Sequence, residues 1–344
     1  MMPTLYIDCK NLSLSVEHDA LIFREGDKRI NTVPLNVLER ICIKGETRLG
    51  TSVLAKLGEK GIGLLVLSGR MQKPNIILPC PKTDSRRRIA QYQIISTPKY
   101  GLKIAKCLVS EKINRQAEML ADIDILYPES APHRKNILEN IKRLTNQVAA
   151  SDSLEQIRGV EGIAAAQYFQ AWQTFLPSSL SFQGRNRRPP KDPVNAVLSL
   201  GYTLLHFDIV RQLYLAGLDP YIGIYHQPVH GRESLASDLL EPFRPRYDQW
   251  ALQLFRTQML REQDFSTNEK NGCQMGKAAR IRFYQAYEQQ AKEWRKDIRQ
   301  SCIRLLKYLA AVSRQPDIAL DGDWMVIENE TDEESETDEE SEAS

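Results

Sequence analysis

Residues 194–217 are apolar around the whole circumference of a helix, and this limits the folds that the chain can adopt. Only Asp208 and Arg211 carry a formal charge within them. A helix of this kind has to be enclosed by other elements, so we expect a buried central helix in a helical domain. Pro193 fits its first turn and Asp192 its N-cap. No uncharged apolar run approaches the ~18 residues of a membrane helix, and we expect no membrane association.

The sequence pattern changes near residue 84. Before it, short segments such as TLYIDCK, LSLSVEHDALIF and ERICIKG alternate or run β-branched, as strands do. After it nearly every segment has helical period, beginning at RRRIAQYQIIS with Asp84 or Ser85 as cap. The predicted fold class is therefore α+β, with a small β-rich domain (1–84) before a larger all-α domain (85–327).

A late helix has the clearest helical spacing, and its apolar face should pack on the domain. That face consists of Ile281, Tyr284, Tyr287, Ala291, Trp294, Ile298, Cys302, Leu305, Leu309 and Val312.

Residues 328–344 are predicted to form an acidic disordered tail. They hold ten acidic residues and no basic one, with TDEESE twice in tandem. The rest of the chain carries 46 basic against 34 acidic residues, which favours a polyanionic partner. The tail could dock on a partner or mask the basic body. Deletion of the residues after Ile327 would exclude this hypothesis if the affinities for a polyanion and for a protein partner stayed unchanged.

The cysteines argue against a zinc or disulfide framework. Six are scattered without a C-x-x-C pair, and we interpret them as small buried hydrophobes. They are Cys9, Cys42, Cys80, Cys107, Cys273 and Cys302. The start of the sequence lacks a basic flank and an apolar run, so no secretory signal is expected and the cytoplasm is the predicted location.

One segment, GLDPYIGIYHQPVHGRESLASDLLEPFRP (217–245), combines histidines and acids. His226 and His230 are four residues apart, and Asp238 and Glu241 are three apart on a predicted helix that Pro242 ends. Carboxylates with an imidazole suit Mn²⁺ or Mg²⁺. This spacing alone is weak evidence for a metal site, because most histidines have carboxylates nearby in sequence. It also leaves open which residues are ligands.

Glu161 is a further acidic candidate, in the segment IRGVEGIAAAQYFQAW. Its neighbours are small and apolar, which favours a paired or metal-bound carboxylate. The alternative is a glutamate at the start of a helix, stabilised there by the helix dipole.

Two basic groups are candidates for contact with a phosphate backbone, or are ordinary surface charge. The first is the loop SFQGRNRRPPKDP, and the second is the polar face of the late helix. The candidate DNA-binding residues are Arg185, Arg187, Arg188, Lys191, Arg280 and Arg282.

Three segments in this order resemble a known family: RGVEGIAAAQYF, RRPPKDPVNAVLSLGYTLL and the histidine segment of 217–245. The family is the CRISPR-associated integrase-endonuclease, the larger subunit of the spacer-acquisition machinery. The resemblance covers about residues 157–246. It implies an N-terminal β-rich dimerisation domain and a helical domain with the metal site. By motif it implies Glu161, His226 and Glu241 as metal ligands and Asp238 as a further catalytic acid. His230 has no counterpart, and the acidic tail lies outside the family pattern.

The resemblance also implies a reaction and partners. The expected activity is a Mg²⁺- or Mn²⁺-dependent endonuclease and integrase, in which the 3′-hydroxyl of a short DNA attacks a phosphodiester of the CRISPR repeat. The expected partners are double-stranded DNA, a second copy in a homodimer, and the small companion subunit, CRISPR-associated protein two.

Two other functions remain open from the sequence. One is a non-catalytic DNA-binding scaffold of the same fold, which would have a disrupted ligand set. The other is a phosphohydrolase of the histidine-aspartate type, for which only His18-Asp19 in the predicted sheet region is available.

Overall fold

The computed structural model describes residues 4–67, 74–79, 84–186, 189–268 and 272–314. The predictions for Cys80, Arg187, Arg188 and the acidic tail concern residues outside these ranges. The α+β class is confirmed, because strands precede a mostly helical region.

Within its described residues, the N-terminal region contains two four-stranded sheets and one α-helix. One sheet has the order β1-β5-β7-β8 and the other β4-β3-β2-β6. Between the two sheets a core forms from alternate residues such as Leu14, Leu21, Ile41 and Leu64. The elements are β1 Thr4–Ile7, β2 Leu12–Glu17, β3 Ala20–Glu25, β4 Lys28–Pro34, β5 Arg40–Ile43, β6 Thr47–Leu49, α1 Thr51–Glu59, β7 Gly63–Val66 and β8 Asn75–Ile77.

His18 and Asp19 form the tight turn between β2 and β3, both with positive φ. The Asp19 carboxylate pairs with Lys56 of α1 at 2.9 Å and with Lys60, just after α1, at 2.7 Å. This histidine-aspartate pair therefore has a structural place in a hairpin, which gives no support to a phosphohydrolase.

Helices make up most of the remaining chain. They are α2 Arg86–Ile95, α3 Pro98–Leu126, α4 Ala131–Ala150, α5 Leu154–Trp172, α6 Pro193–Leu215, α7 Ser234–Leu240, α8 Arg244–Arg256 and α9 Lys277–Ser313. One short hairpin, β9 Phe265–Asn268 with β10 Gly272–Met275, interrupts them. The prediction of an all-α domain missed it, because strands of four residues have too little periodicity to identify.

Helix α6 is the buried central helix that the sequence predicts. The Asp192 side chain caps it by accepting from the Asn195 N–H at 2.8 Å, and Pro193 occupies its first turn. By length and composition α6 could cross a membrane, but 78% of its apolar window is buried inside the protein. It is therefore the core of the helical region.

The apolar face of α9 is mostly buried, as predicted. Tyr284 through Leu309 of that face pack into the large core, whereas Ile281 is 48% exposed near the start of the helix. The cysteine prediction holds for Cys42, Cys273 and Cys302 and is wrong for Cys9 and Cys107, which are exposed.

A buried charge network joins the strand region to the helices. Asp208 of α6 pairs with Arg40 of β5 at 2.7 Å and with Arg295 of α9 at 2.9 Å. Arg295 also binds Glu288, which accepts a hydrogen bond from Tyr6 of β1 at 2.6 Å. Glu288 and Arg295 pair within α9, and the other contacts join different elements, so the network fixes how β1 and β5 sit on α6 and α9.

Gly201 lets α8 approach α6 closely. A Cβ at this position would lie 1.9 Å from the Tyr247 ring, and the Tyr247 hydroxyl donates to the Val197 carbonyl at 2.8 Å.

We therefore expect Gly201→Ala to lower the free energy of unfolding by about 3 kcal/mol, because the fully buried ring cannot move aside. Guanidinium denaturation measures it. The matched control is Gly159→Ala in α5, where a Cβ meets open space and the better helix former should be neutral or stabilising. Similar losses in both variants would contradict the packing argument.

Candidate metal centre

Two carboxylates from distant parts of the chain converge on one cationic group. Glu161 lies on α5, and Glu241 lies in the 3-10 turn Glu241–Phe243 between α7 and α8. Both accept a hydrogen bond from the ammonium of Lys112 on α3, Glu241 through its Oε2 at 2.6 Å. The packing of α3 against α5 and this turn brings the three together.

The change from α-helix to a 3-10 turn after α7 places Glu241. Pro242 ends the helix, as the sequence predicts, and the chain turns before α8 begins at Arg244. Glu241 is only 4% exposed, and its second oxygen accepts from Arg244 Nε at 3.0 Å. Burial raises the pKa of Glu241, but the Arg244 and Lys112 charges more than offset this and hold the pKa well below its usual range.

Glu161 is held from its other side by Tyr225. The Tyr225 hydroxyl donates to Glu161 Oε2 at 2.6 Å, and burial followed by the Glu161 charge raises the pKa of this hydroxyl. The helix begins at Leu154 with Ser153 as its cap, so Glu161 lies two turns inside it. The alternative of a glutamate stabilised by the helix N-terminus is therefore wrong, since that effect fades within the first turn.

Asp238 anchors the histidine loop. Its Oδ2 accepts from the N–H groups of Ile224 at 2.6 Å and Tyr225 at 3.0 Å. Its Oδ1 accepts from the His226 N–H at 2.8 Å and lies 2.7 Å from His226 Nδ1. Asp238 is fully buried, and these donors satisfy both of its carboxylate oxygens. Nδ1 faces the carboxylate, which leaves Nε2 as the ring atom available to a metal.

The loop before α7 also needs a glycine. A Cβ on Gly223 would lie 2.3 Å from the His226 carbonyl oxygen and 2.6 Å from Ser234 Cβ. His230 lies further along the loop, where residues 227–231 are all exposed.

The donor set fits a hard divalent cation that accepts an imidazole. Glu161 and Glu241 supply oxygens aimed at one point, and His226 supplies a nitrogen with a fixed ring orientation. Among the described residues, no group of three His, Cys, Asp or Glu side chains forms a ready-made metal cage. Lys112 occupies the point that the two carboxylates share.

Comparison with known proteins identifies the family of this chain. The family described as CRISPR associated protein Cas1 matches residues 5–289. The chain belongs to the Cas1 family. It is 38% identical over 312 residues to CRISPR-associated endonuclease Cas1 1 of Thermodesulfovibrio yellowstonii, covering 89% of this chain and 98% of that protein. It is 32% identical over 274 residues to a Cas1 endonuclease of Thermus thermophilus, covering 78% of each.

Solved structures share the fold. A casposase bound to its integration product has a TM-score of 0.80 at 21% identity, covering 90% of this chain and 91% of that one. A Cas1 protein from Thermotoga maritima has a TM-score of 0.78 at 22% identity, covering 89% and 96%. The order of a β-rich region and a helical region is therefore that of the Cas1 fold.

In this Cas1 chain two of the predicted DNA-binding arginines already have intramolecular partners. Arg185 donates to Asn195 Oδ1 at 2.8 Å and lies over the Tyr202 ring at 5.4 Å. Arg280 pairs with Asp8 at 2.5 Å. Charge counts in a sequence do not reveal such partners, and contact with DNA remains a prediction for both.

The remaining basic candidates differ in exposure. Lys191 is exposed, and Arg282 is 43% exposed although it pairs with Asp264 at 2.7 Å. Arg187 and Arg188 lie outside the described residues. For these four as well, contact with DNA remains a prediction.

Sequence reasoning missed three residues of this Cas1 site: Lys112, Tyr225 and Arg244. Burial lowers the pKa of the Lys112 ammonium, but Glu241 and Glu161 more than compensate, so the pKa lies above its ordinary value. Arg244 also lies over the Tyr202 ring at 4.5 Å. Only Tyr225 and Arg244 had a sequence signal, because Tyr225 adjoins His226 and Arg244 follows Glu241 by three residues within the histidine segment.

A buried carboxyl, Asp248, lies behind Arg244. It accepts hydrogen bonds from Tyr202 and, at 3.1 Å, from Tyr168. Burial raises the pKa of Asp248 to about 6, against the lowering effect of these two hydroxyls.

This carboxyl should make stability depend on pH. The unfolded chain titrates near ~3.9, so the protonated form stabilises the fold fully below that pH, and this contribution is lost as pH rises through about 6. Between about pH 5 and pH 7.5 we expect the wild type to lose about 1 kcal/mol relative to Asp248→Asn, which cannot titrate. Urea denaturation of both proteins at both pH values measures it, and parallel pH dependence would contradict the shift.

Proposed function

We propose that this Cas1 protein is a divalent-metal-dependent DNA endonuclease and integrase. It would insert short DNA segments into a CRISPR array by attack of their 3′-hydroxyl on a repeat phosphodiester. The observation that carries the proposal is the convergence of Glu161 and Glu241 on one cationic point, beside a loop in which Asp238 orients His226. In support, the relatives are named endonucleases, and a casposase bound to an integration product shares the fold.

Glu161, His226 and Glu241 would hold Mg²⁺ or Mn²⁺. When bound, such an ion neutralises charge on the scissile phosphate and helps position the attacking oxygen.

The protein side chains then have distinct tasks. Asp238 holds the His226 ring, so that Nε2 is presented in one orientation. Tyr225 holds one oxygen of Glu161, and Arg244 holds one oxygen of Glu241. The other oxygen of each carboxylate is left to face the point that the two carboxylates share. Exposed basic residues such as Lys191 and Arg282 would bind the DNA backbone, with salt-sensitive affinity.

The proposed assembly is a homodimer, formed through the β-rich region, that works with the small companion subunit. In support of the companion subunit, a chain of a Cas6-RT-Cas1–Cas2 complex shares the fold with a TM-score of 0.77 at 23% identity, covering 92% of this chain and 35% of that one.

Strand transfer tests the proposed function directly. A short duplex, a plasmid carrying the repeat, the companion subunit and this protein are mixed with Mn²⁺ or Mg²⁺, and joined products are resolved on a gel. We expect joining with either metal and none in EDTA. A duplex ending in 3′-dideoxynucleotides should not join, because it lacks the nucleophile.

Two results would contradict the proposal. Joining that persists in EDTA would exclude a metal-dependent mechanism. DNA binding without joining or nicking under any metal would instead support the non-catalytic scaffold.

A further inference from the structure

Lys112 is a buried lysine, whereas most lysines lie at the protein surface. It lies in the middle of α3 and is 7% exposed. Its ammonium donates to Glu161 from α5 and, at 2.6 Å, to Glu241 from the turn after α7. Two elements far apart in sequence thus direct a carboxylate at this one nitrogen.

The remaining oxygens of the two carboxylates have other partners. Glu161 Oε2 accepts from the Tyr225 hydroxyl, and Glu241 Oε1 accepts from Arg244. The oxygens that point at Lys112 are therefore the ones that would have to bind a shared cation. In this arrangement the ammonium supplies the positive charge that compensates them.

An ammonium and a metal ion cannot both use this point. Mg²⁺ binds carboxylate oxygens at about 2.1 Å, so it would lie inside the space that the nitrogen fills. The like charges would also repel across a poorly hydrated site. The four-carbon stem of lysine is flexible, so the ammonium can leave while its helix stays in place.

We propose that Lys112 is an internal counter-cation that competes with the divalent metal for Glu161 and Glu241, and so weakens metal binding. The proposal rests on the metal site of the proposed function. Lys112 would act as a positioning residue, since it compensates the two carboxylates of the folded site until the metal replaces it.

Metal affinity without DNA tests this role. The full-length protein and its Lys112→Met variant are titrated with Mn²⁺ alone, and free Mn²⁺ is followed by electron paramagnetic resonance. We expect the Kd of Lys112→Met to be at least about tenfold lower than that of the wild type, because no ammonium has to be displaced. Lys106→Met is the control. It removes a charge from the same helix, where the ammonium donates to the Ala149 carbonyl, and should leave the Kd unchanged.

Thermal unfolding separates competition from a purely structural role. In EDTA, Lys112→Met should melt several degrees below the wild type, because two buried carboxylates lose their counter-charge. Saturating Mn²⁺ should raise its Tm by more than it raises that of the wild type, since tighter binding gives more stabilisation. A lysine that only supports the fold would lower Tm equally with and without the metal.

The outcomes distinguish the two proposals. If the wild type itself binds no Mn²⁺, the proposed metal site is wrong. If the wild type binds but Lys112→Met binds no tighter, only the competition is wrong. A Lys112→Met protein that fails to fold even with Mn²⁺ also overturns the competition, because the metal should replace the ammonium. Lys112→Gln, which keeps a neutral donor, should likewise bind Mn²⁺ more tightly.

Discussion

Replacing Glu161, His226 or Glu241 by alanine is expected to lower strand transfer by about a thousandfold or more. Each change removes one of the three groups proposed to hold the metal. Metal-assisted charge stabilisation is worth several kcal/mol at the transition state, which corresponds to this loss. The rate of joined-product formation at saturating DNA measures the effect, with Mn²⁺ and Mg²⁺ tested separately.

His230→Ala is the matched control for this prediction. It removes a second imidazole from the same segment, but one in an exposed part of the loop. We expect it to keep most of the activity. If the Glu161 and His226 variants stayed active, or if His230→Ala lost as much activity as His226→Ala, the ligand assignment would be wrong.

Asp238→Asn is expected to have the second-largest effect, on stability and metal affinity together. The carboxylate accepts from three consecutive backbone N–H groups and faces His226 Nδ1. An asparagine would turn an N–H₂ group towards some of these donors. Because hydrogen bonds to a charged group are worth about 1.5–3 kcal/mol each, we expect a loss of at least about 3 kcal/mol in the free energy of unfolding. Mn²⁺ affinity should fall about 10- to 100-fold, since the ring is no longer held.

Chemical denaturation and Mn²⁺ titration measure these two effects. Asp219→Asn is the comparison, because this carboxylate lies in the same loop and accepts from the Tyr221 N–H and the Tyr92 hydroxyl near the surface. Its loss should be about 1 kcal/mol or less, with unchanged Mn²⁺ affinity. If Asp238→Asn weakened Mn²⁺ binding more than His226→Ala does, Asp238 would itself be a ligand.

Features with a local cause were predictable from the sequence. The all-round apolar pattern identified α6 as the central helix, with Asp192 and Pro193 at its start. The change of period near residue 84 separated strands from helices, and Pro242 correctly ended α7. The β9–β10 hairpin was not predictable in this way. Its second strand makes a tertiary contact that no local pattern contains, in which the Cys273 N–H donates to the Pro190 carbonyl at 2.7 Å.

The candidate site shows more clearly what local sequence patterns could not predict. Glu161 and Glu241 are 80 residues apart, and nothing in their local spacing requires them to meet. The family resemblance assigned both residues to one metal site. In the structure, the packing of α3, α5 and the turn after α7 brings them together. Lys112 had no signal in the sequence, because a lysine on a mixed helix face usually points to solvent.

The charge network of Arg40, Asp208 and Arg295 has a consequence for how the protein melts. If the strand region unfolded alone, Arg40 would leave and Asp208 would lose part of its compensation inside the helical core. If the helices unfolded first, Arg40 would lose Asp208 and keep only Glu39, which is partly exposed. Either partial step removes one ion pair from a buried network, which disfavours partly melted forms. We therefore expect calorimetry to show the strand region and the helices unfolding in one transition, although the boundary between them divides the secondary structure.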